Sequence, residues 1–133
     1  MKAIKNKNFS SYELRETVIK GMQEKKALDI KVLNLQNVKN ALADFFIICS
    51  GTSDTHTNAV ADSVMEEVKK AYDVESTHCE GKTNKEWVLV DYLDVVVHVF
   101  NKEKRSFYDL ENLWGDAEIE TISDDVAAGV QTL

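Results

Sequence analysis

Two strongly apolar runs, at residues 87–91 and 95–100, are separated by only three residues. Apolar runs joined by so short a turn predict an antiparallel β-hairpin. A two-residue loop at Leu93 and Asp94 would pair Tyr92 with Val95. We therefore predict that this hairpin lies at the centre of a β-sheet.

This register divides the hairpin into two unlike faces, because side chains alternate between the faces of a strand. It also places Leu89 opposite His98 and Trp87 opposite Phe100. The face predicted to be ordinary core carries Val88, Val90, Tyr92, Val95, Val97 and Val99. The other face mixes aromatic, aliphatic and ionisable residues: Trp87, Leu89, Asp91, Val96, His98 and Phe100. We expect a helix to close over this second face.

Helical periodicity appears in three other segments. Ser10 and Glu13 have the spacing of a capping box and predict a helix at residues 11–25, whose Gly21 would have to be held by packing. Apolar residues at helical spacing also predict helices at residues 55–72 and after residue 106. The three predicted buried stripes are Leu14, Val18 and Met22, then Val60, Val64 and Val68, then Phe107, Leu110 and Trp114.

Three more apolar runs, at residues 30–35, 44–50 and 74–79, predict strands. The run at 44–50 is apolar without alternation, which is typical of a central strand covered on both faces. The predicted order is α-β-β-α-β-β-β-α. The fold class is therefore α/β, a single domain with a mixed sheet of about five strands flanked by helices.

The composition fits one self-sufficient domain of 133 residues. The sequence shows no leader pattern and no apolar run long enough to span a membrane, so we expect a cytoplasmic protein without a membrane partner. Cys49 and Cys79 are too few to suggest a disulfide framework.

The net charge of -7 is unevenly distributed. Residues 1–9 contain lysines and no acid, which predicts a basic N-terminal arm. Residues 119–133 contain no base, and we predict a loosely held acidic tail there. Without a basic stripe we expect little direct RNA contact. The only local basic cluster is Lys102, Lys104 and Arg105.

Two segments together resemble the ribosome silencing factors, also called the Iojap family. The first runs from Asp44 to Gly51. The second spans residues 80–114 and contains Glu80, Gly81, the hairpin, and an ordered series of polar and aromatic residues that ends at Trp114. The resemblance covers about residues 12–118, and we draw the domain at residues 10–118. Family members often have Gly where this chain has Leu93.

The resemblance implies a fold similar to that of nucleotidyltransferases and a role as a translation repressor. A protein of this kind binds the large ribosomal subunit through its fourteenth ribosomal protein and blocks the small subunit sterically, without catalysis or a cofactor. The resemblance also implies that the protein can form a homodimer when it is free of the ribosome. The matched positions predicted to bind the partner are Trp87, Asp91, His98, Arg105, Tyr108 and Glu111.

Trp, Tyr and Arg often contribute most of the binding energy at interfaces, so Trp87, Tyr108 and Arg105 are predicted to converge in one surface patch. Trp87 could equally cap the core. We assign Trp114 to the core.

An enzymatic alternative rests on the turn at residues 51–54. Gly51, Thr52 and Ser53 follow a predicted strand and precede a helix, where backbone N–H groups can hold a phosphate. This turn would serve a nucleotide-binding enzyme of nucleotidyltransferase-like fold. However, no Walker lysine follows, and the strands lack the Asp-x-Asp pair that nucleotidyl transfer needs.

His98 and Asp91 are diagonal neighbours in the predicted register, so they could form a base and its orienting carboxylate, or a buried histidine paired for structural reasons. A metal site is not expected, because no zinc-binding spacing connects the available ligands. These ligands are His56, His78, His98, Cys49 and Cys79.

Overall fold

The structure is a computed structural model, and it describes residues 9–105, 115 and 117–123. This part of the chain forms two helices and six strands. In chain order they are α1 (Ser11–Glu24), β1 (Leu28–Asn34), β2 (Phe45–Gly51), α2 (Asp54–Tyr72), β3 (His78–Glu80), β4 (Trp87–Asp91), β5 (Val95–Asn101) and β6 (Glu118–Ile122). The third predicted helix lies outside the described residues.

The six strands form one mixed sheet in the order β3-β4-β5-β2-β1-β6. Strands β2 and β5 pair in parallel, and every other neighbouring pair is antiparallel. The predicted fold class is therefore confirmed, with six strands instead of about five. The β4–β5 hairpin is inserted between β2 and β3, which lies at one edge.

The hairpin has the predicted register. Trp87 is opposite Phe100 and Leu89 is opposite His98, while the Tyr92 N–H donates to the Val95 carbonyl at 2.9 Å. The chain achieves this tight turn with Leu93 in the left-handed region, at φ 73°. Non-glycine residues adopt that region at a steric cost, because Cβ approaches the following carbonyl.

Helices α1 and α2 cover one face of the sheet. The predicted stripes of both helices are buried, and they meet the valines of the hairpin in one large core cluster. Gly21 is explained by this packing, since a Cβ there would lie 2.7 Å from Cα of Val64 in α2. The Ser63 hydroxyl also donates to the Gly21 carbonyl at 2.7 Å. Close packing of the helices thus offsets the low helix propensity of glycine.

On the opposite face, the described residues form a smaller cluster, whose buried members are Leu33, Leu35, Ile48 and Phe100. Phe46 and Trp87 pack against it and are only partly buried. The buried stripes of the two described helices belong to the other cluster, on the opposite face of the sheet.

Both predicted chain ends need correction. Phe9, assigned to the basic arm, is buried and stacks on Tyr72 with ring centroids 4.1 Å apart. The prediction of a loose tail from residue 119 is wrong for residues 119–122, because β6 pairs antiparallel with β1. The physical reason is tertiary: β6 covers the edge of β1, and its Glu120 bonds to the buried Arg15. Residues 124–133 lie outside the described residues.

Candidate partner-binding face

Trp87 is fixed at the start of β4 by contacts across the hairpin. Its indole N–H donates to Nδ1 of His98 at 3.0 Å, and its ring stacks on Phe100 with centroids 5.1 Å apart. The side chain is nevertheless only partly buried. Trp87 therefore belongs to the smaller cluster and also reaches the surface, which combines the two alternatives that the sequence left open.

His98 is buried and neutral. Its Nδ1 must carry the lone pair, because an indole N–H can only donate, so the proton lies on Nε2. Burial lowers the pKa of His98 to about 3. Nε2 has no hydrogen-bond partner among the described residues. With its one basic nitrogen occupied by Trp87, His98 is poorly suited to act as a general base.

The predicted pairing of Asp91 with His98 is wrong. Oδ1 of Asp91 instead accepts from the N–H of Leu93 at 2.7 Å and so holds the hairpin turn. His98 instead accepts a hydrogen bond from the indole N–H of Trp87. An Asp side chain readily bonds to the backbone two residues later, and this local contact competes successfully with the cross-strand one.

Arg105 also differs from the prediction. It is only 9% exposed, and its Nη1 donates to the Asp29 carbonyl at 2.7 Å and to the Ser50 hydroxyl at 2.9 Å. Its guanidinium therefore fastens the end of β2 to the start of β1. A buried and engaged Arg105 cannot take part in a surface patch or in a phosphate-binding cluster with Lys102 and Lys104.

Tyr108, Glu111 and Trp114 lie outside the described residues. The predicted convergence of Tyr108 with Trp87 therefore stays a prediction. Of the six predicted partner-binding residues, the structure places Trp87, Asp91 and His98 on one face of the hairpin and separates Arg105 from them.

An open groove of about 250 Å³ adjoins the Trp87 side chain. Gly81 forms part of this groove and has φ 95°, and a Cβ there would lie 2.0 Å from the Trp87 carbonyl oxygen. This contact gives Gly81 a structural role: it lets the preceding loop approach the backbone of β4. The other lining residues are Glu80, Asn84, Glu86 and Leu89.

The turn at residues 51–54 is already engaged by its own chain. The Thr52 N–H donates to Nδ1 of His56 at 2.8 Å, and the Ser53 hydroxyl accepts from the His56 N–H as a helix cap. A Cβ at Gly51 would lie 2.7 Å from Cα of Thr57. The glycine is thus required for packing against α2, and this geometry does not favour a phosphate cradle.

Other kinds of site receive no support from the described part of the chain. No group of three or more His, Cys, Asp or Glu residues there could hold a metal ion. Neither of the described helices is long and apolar enough to cross a membrane.

Comparisons with known proteins agree with this fold. The family described as "Ribosomal silencing factor during starvation" matches residues 8–132. A ribosomal silencing factor of Halalkalibacterium halodurans is 40% identical over 82% of this chain and 92% of its own length. A crystal structure of a Chromobacterium violaceum protein superimposes with a TM-score of 0.76 at 36% identity, over 80% of this chain and 88% of that one.

A more distant mouse relative is named "Mitochondrial assembly of ribosomal large subunit protein 1". It is 32% identical over 70% of this chain, which spans 41% of the mouse protein. The match is confined to less than half of that longer protein.

Proposed function

Because the chain belongs to the family of ribosomal silencing factors, we propose that it represses translation by binding the large ribosomal subunit. The finer proposal is that it contacts the fourteenth protein of that subunit and blocks docking of the small subunit. The name of the mouse relative supports the choice of the large subunit. The protein would act in the cytoplasm, where its target would be found.

The observation that carries this proposal is the arrangement of Trp87. Its polar N–H is satisfied inside the protein by His98, and its ring is held against Phe100, yet part of the side chain borders an open groove. A fixed aromatic residue loses little conformational freedom when a partner covers it. Trp is also among the residue types that contribute most to interface energy.

Such a protein needs affinity and not catalysis. By occupying the joining surface it would lower the fraction of large subunits free to join, in proportion to its concentration relative to the dissociation constant. The neutral, engaged His98 and the closed turn at residues 51–54 agree with a binding protein. The net charge of -7 favours docking on a basic ribosomal protein over docking on RNA phosphates.

The test is sedimentation with isolated large subunits, followed by a subunit-joining assay. We expect the protein to move with large subunits and to reduce the joined fraction in a dose-dependent way. Binding to the purified fourteenth protein alone would support the finer proposal. A protein that stays in the supernatant and leaves joining unchanged would contradict the function.

Trp87→Ala tests the site, with Val88→Ala as the matched control. The two residues are neighbours in β4, but Val88 faces the helices and is fully buried. At temperatures where both variants are folded, Trp87→Ala should weaken subunit binding about thirtyfold, whereas Val88→Ala should lower stability alone. Equal binding by both variants would remove Trp87 from the interface.

A further inference from the structure

Two exposed leucines border an apolar groove that the sequence analysis did not identify. Leu42 is 99% exposed and Leu93 is 41% exposed, and both line a groove of about 400 Å³. The remaining lining residues are Leu35, Asn40, Ala43, Phe46, Asp91 and Val96. An exposed apolar groove of this kind is a common feature of interaction sites.

The groove lies on the same face of the sheet as Trp87. Asp91 and Val96 alternate in register with Trp87 and His98, so their side chains share the face away from the helices. Trp87 lies at the start of β4 and Asp91 at its end. One partner could therefore cover both ends of the same strand.

The backbone at Leu93 adds an independent observation. Its φ of 73° is a conformation that Gly and Asn adopt more easily than a bulky residue. The hairpin nevertheless has a leucine at this position, and this leucine is one of the residues that line the groove. A strained residue that is also exposed and apolar is explained better by a contact outside the fold than by one inside it.

The charges around the groove indicate what would occupy it. Among the described residues that line it, Asp91 is the only charged one. Asp44, Asp94 and Lys39 adjoin lining residues in the sequence, but none of the three lines the groove. The Asp91 carboxylate favours a basic partner, and the net charge of -7 disfavours a second copy of this chain or a nucleic acid.

We propose that the groove binds an apolar side chain, flanked by Lys or Arg, from a protein of the large ribosomal subunit. This inference rests on the proposed function and names a second contact region beyond Trp87. The apolar side chain would insert between Leu42 and Leu93, while the flanking cations would approach Asp91.

The first test measures the dissociation constant for isolated large subunits with charge variants at Leu42. Leu42→Lys should weaken binding at least about tenfold, which is about 1.4 kcal/mol, because it removes apolar area and repels a basic partner. Leu42→Glu should weaken it less, because the new charge attracts that partner. The matched control is Tyr12→Lys, which alters an aromatic residue that is 58% exposed on α1, across the sheet, and should leave binding unchanged.

The second test separates binding from folding. Leu93→Asn suits the left-handed turn and removes the apolar wall of the groove, so it should unfold at the same or a higher urea concentration while binding large subunits at least about fivefold more weakly. A loss of binding without a loss of stability is not expected from a residue whose role is only structural.

The outcomes are distinguishable. If the wild-type protein does not bind large subunits, the proposed function and this inference both fail. If the wild type binds and the Leu42 and Leu93 variants bind equally well, only the inference fails. Stronger binding by Leu42→Lys would indicate RNA in the groove, and a dimer that Leu42→Lys dissociates without affecting subunit binding would indicate a second copy. Either result would overturn the inference.

Discussion

The two faces of the sheet use the same strands for different purposes. The helix-covered face of the hairpin is uniformly aliphatic apart from Tyr92, and all its residues are buried in the large cluster. The opposite face carries Trp87, His98 and Phe100, and four buried residues among those described form its cluster. Among the described residues, more apolar side chains are buried under the helices, which favours stability there, while the opposite face carries aromatic and polar groups of the kind that recognise a partner.

This difference determines how mutations in β4 and β5 should be interpreted. Neighbouring residues in one strand face opposite sides of the sheet. A mutation at one position should therefore affect mainly folding stability, and a mutation at the next position should affect mainly partner binding. Trp87 is an intermediate case, because it packs against Phe100 and also borders a groove. Stability and binding must therefore be measured together for every variant on this face.

The largest effect is expected from Ile47→Ala, with Ile48→Ala as its partner. Both side chains are fully buried in β2, but Ile47 lies in the large cluster and Ile48 in the smaller one. We expect unfolding free energies lower by about 4 kcal/mol for Ile47→Ala and about 2 kcal/mol for Ile48→Ala, because a cavity relaxes more easily in the smaller cluster. Equal costs in urea titrations would mean that the two faces stabilise the fold equally.

The second-largest loss of stability is expected from removal of residues 118–133. It exposes the edge of β1, takes away the core contact of Ile122 and leaves buried Arg15 without Glu120. We expect a loss of about 3 kcal/mol in unfolding free energy. Removal of residues 124–133 alone is the control, and the sequence-based prediction of a loosely held tail now applies only to them. Equal stability of the two truncated proteins would contradict a structural role for β6.

The buried His98 should make stability depend on pH. Its pKa is lowered to about 3 by burial, whereas the unfolded chain takes up the proton near pH 6.5. The stabilisation is therefore complete above pH 6.5 and declines as pH falls towards 3. Between pH 7 and 5 the wild type should lose about 2 kcal/mol more than His98→Gln.

The control for this pH dependence is His78→Gln, which alters an exposed histidine paired with Glu80. It should leave the wild-type slope nearly unchanged. Identical pH profiles for His98→Gln and the wild type would mean that His98 is not buried as a neutral group.

The smallest effect is expected from Trp87→Phe. The substitution keeps a ring beside Phe100 but removes the N–H that satisfies His98. An unsatisfied buried acceptor costs about 1 kcal/mol or more, so the urea midpoint should fall slightly. The double variant Trp87→Phe/His98→Phe also lacks the acceptor. Its loss of unfolding free energy should therefore be smaller than the sum of the losses in the two single variants. Strict additivity would argue against the Trp87–His98 bond.

Local patterns predicted much of this fold. Periodicity identified both described helices, and the short turn determined the register of the hairpin, because side chains alternate strictly along a strand. The family was also recognisable from the residues around the hairpin, and the comparison with the family model confirmed it.

Only the tertiary structure determined the rest. β6 has no strong pattern of its own, and it forms a strand because the edge of β1 offers unpaired backbone groups. Arg105 bonds to Asp29 and Ser50, which lie 76 and 55 residues away along the chain. Such long-range pairings depend on which strands become neighbours. Sequence spacing constrains residues a few positions apart, whereas packing decides which distant side chains meet.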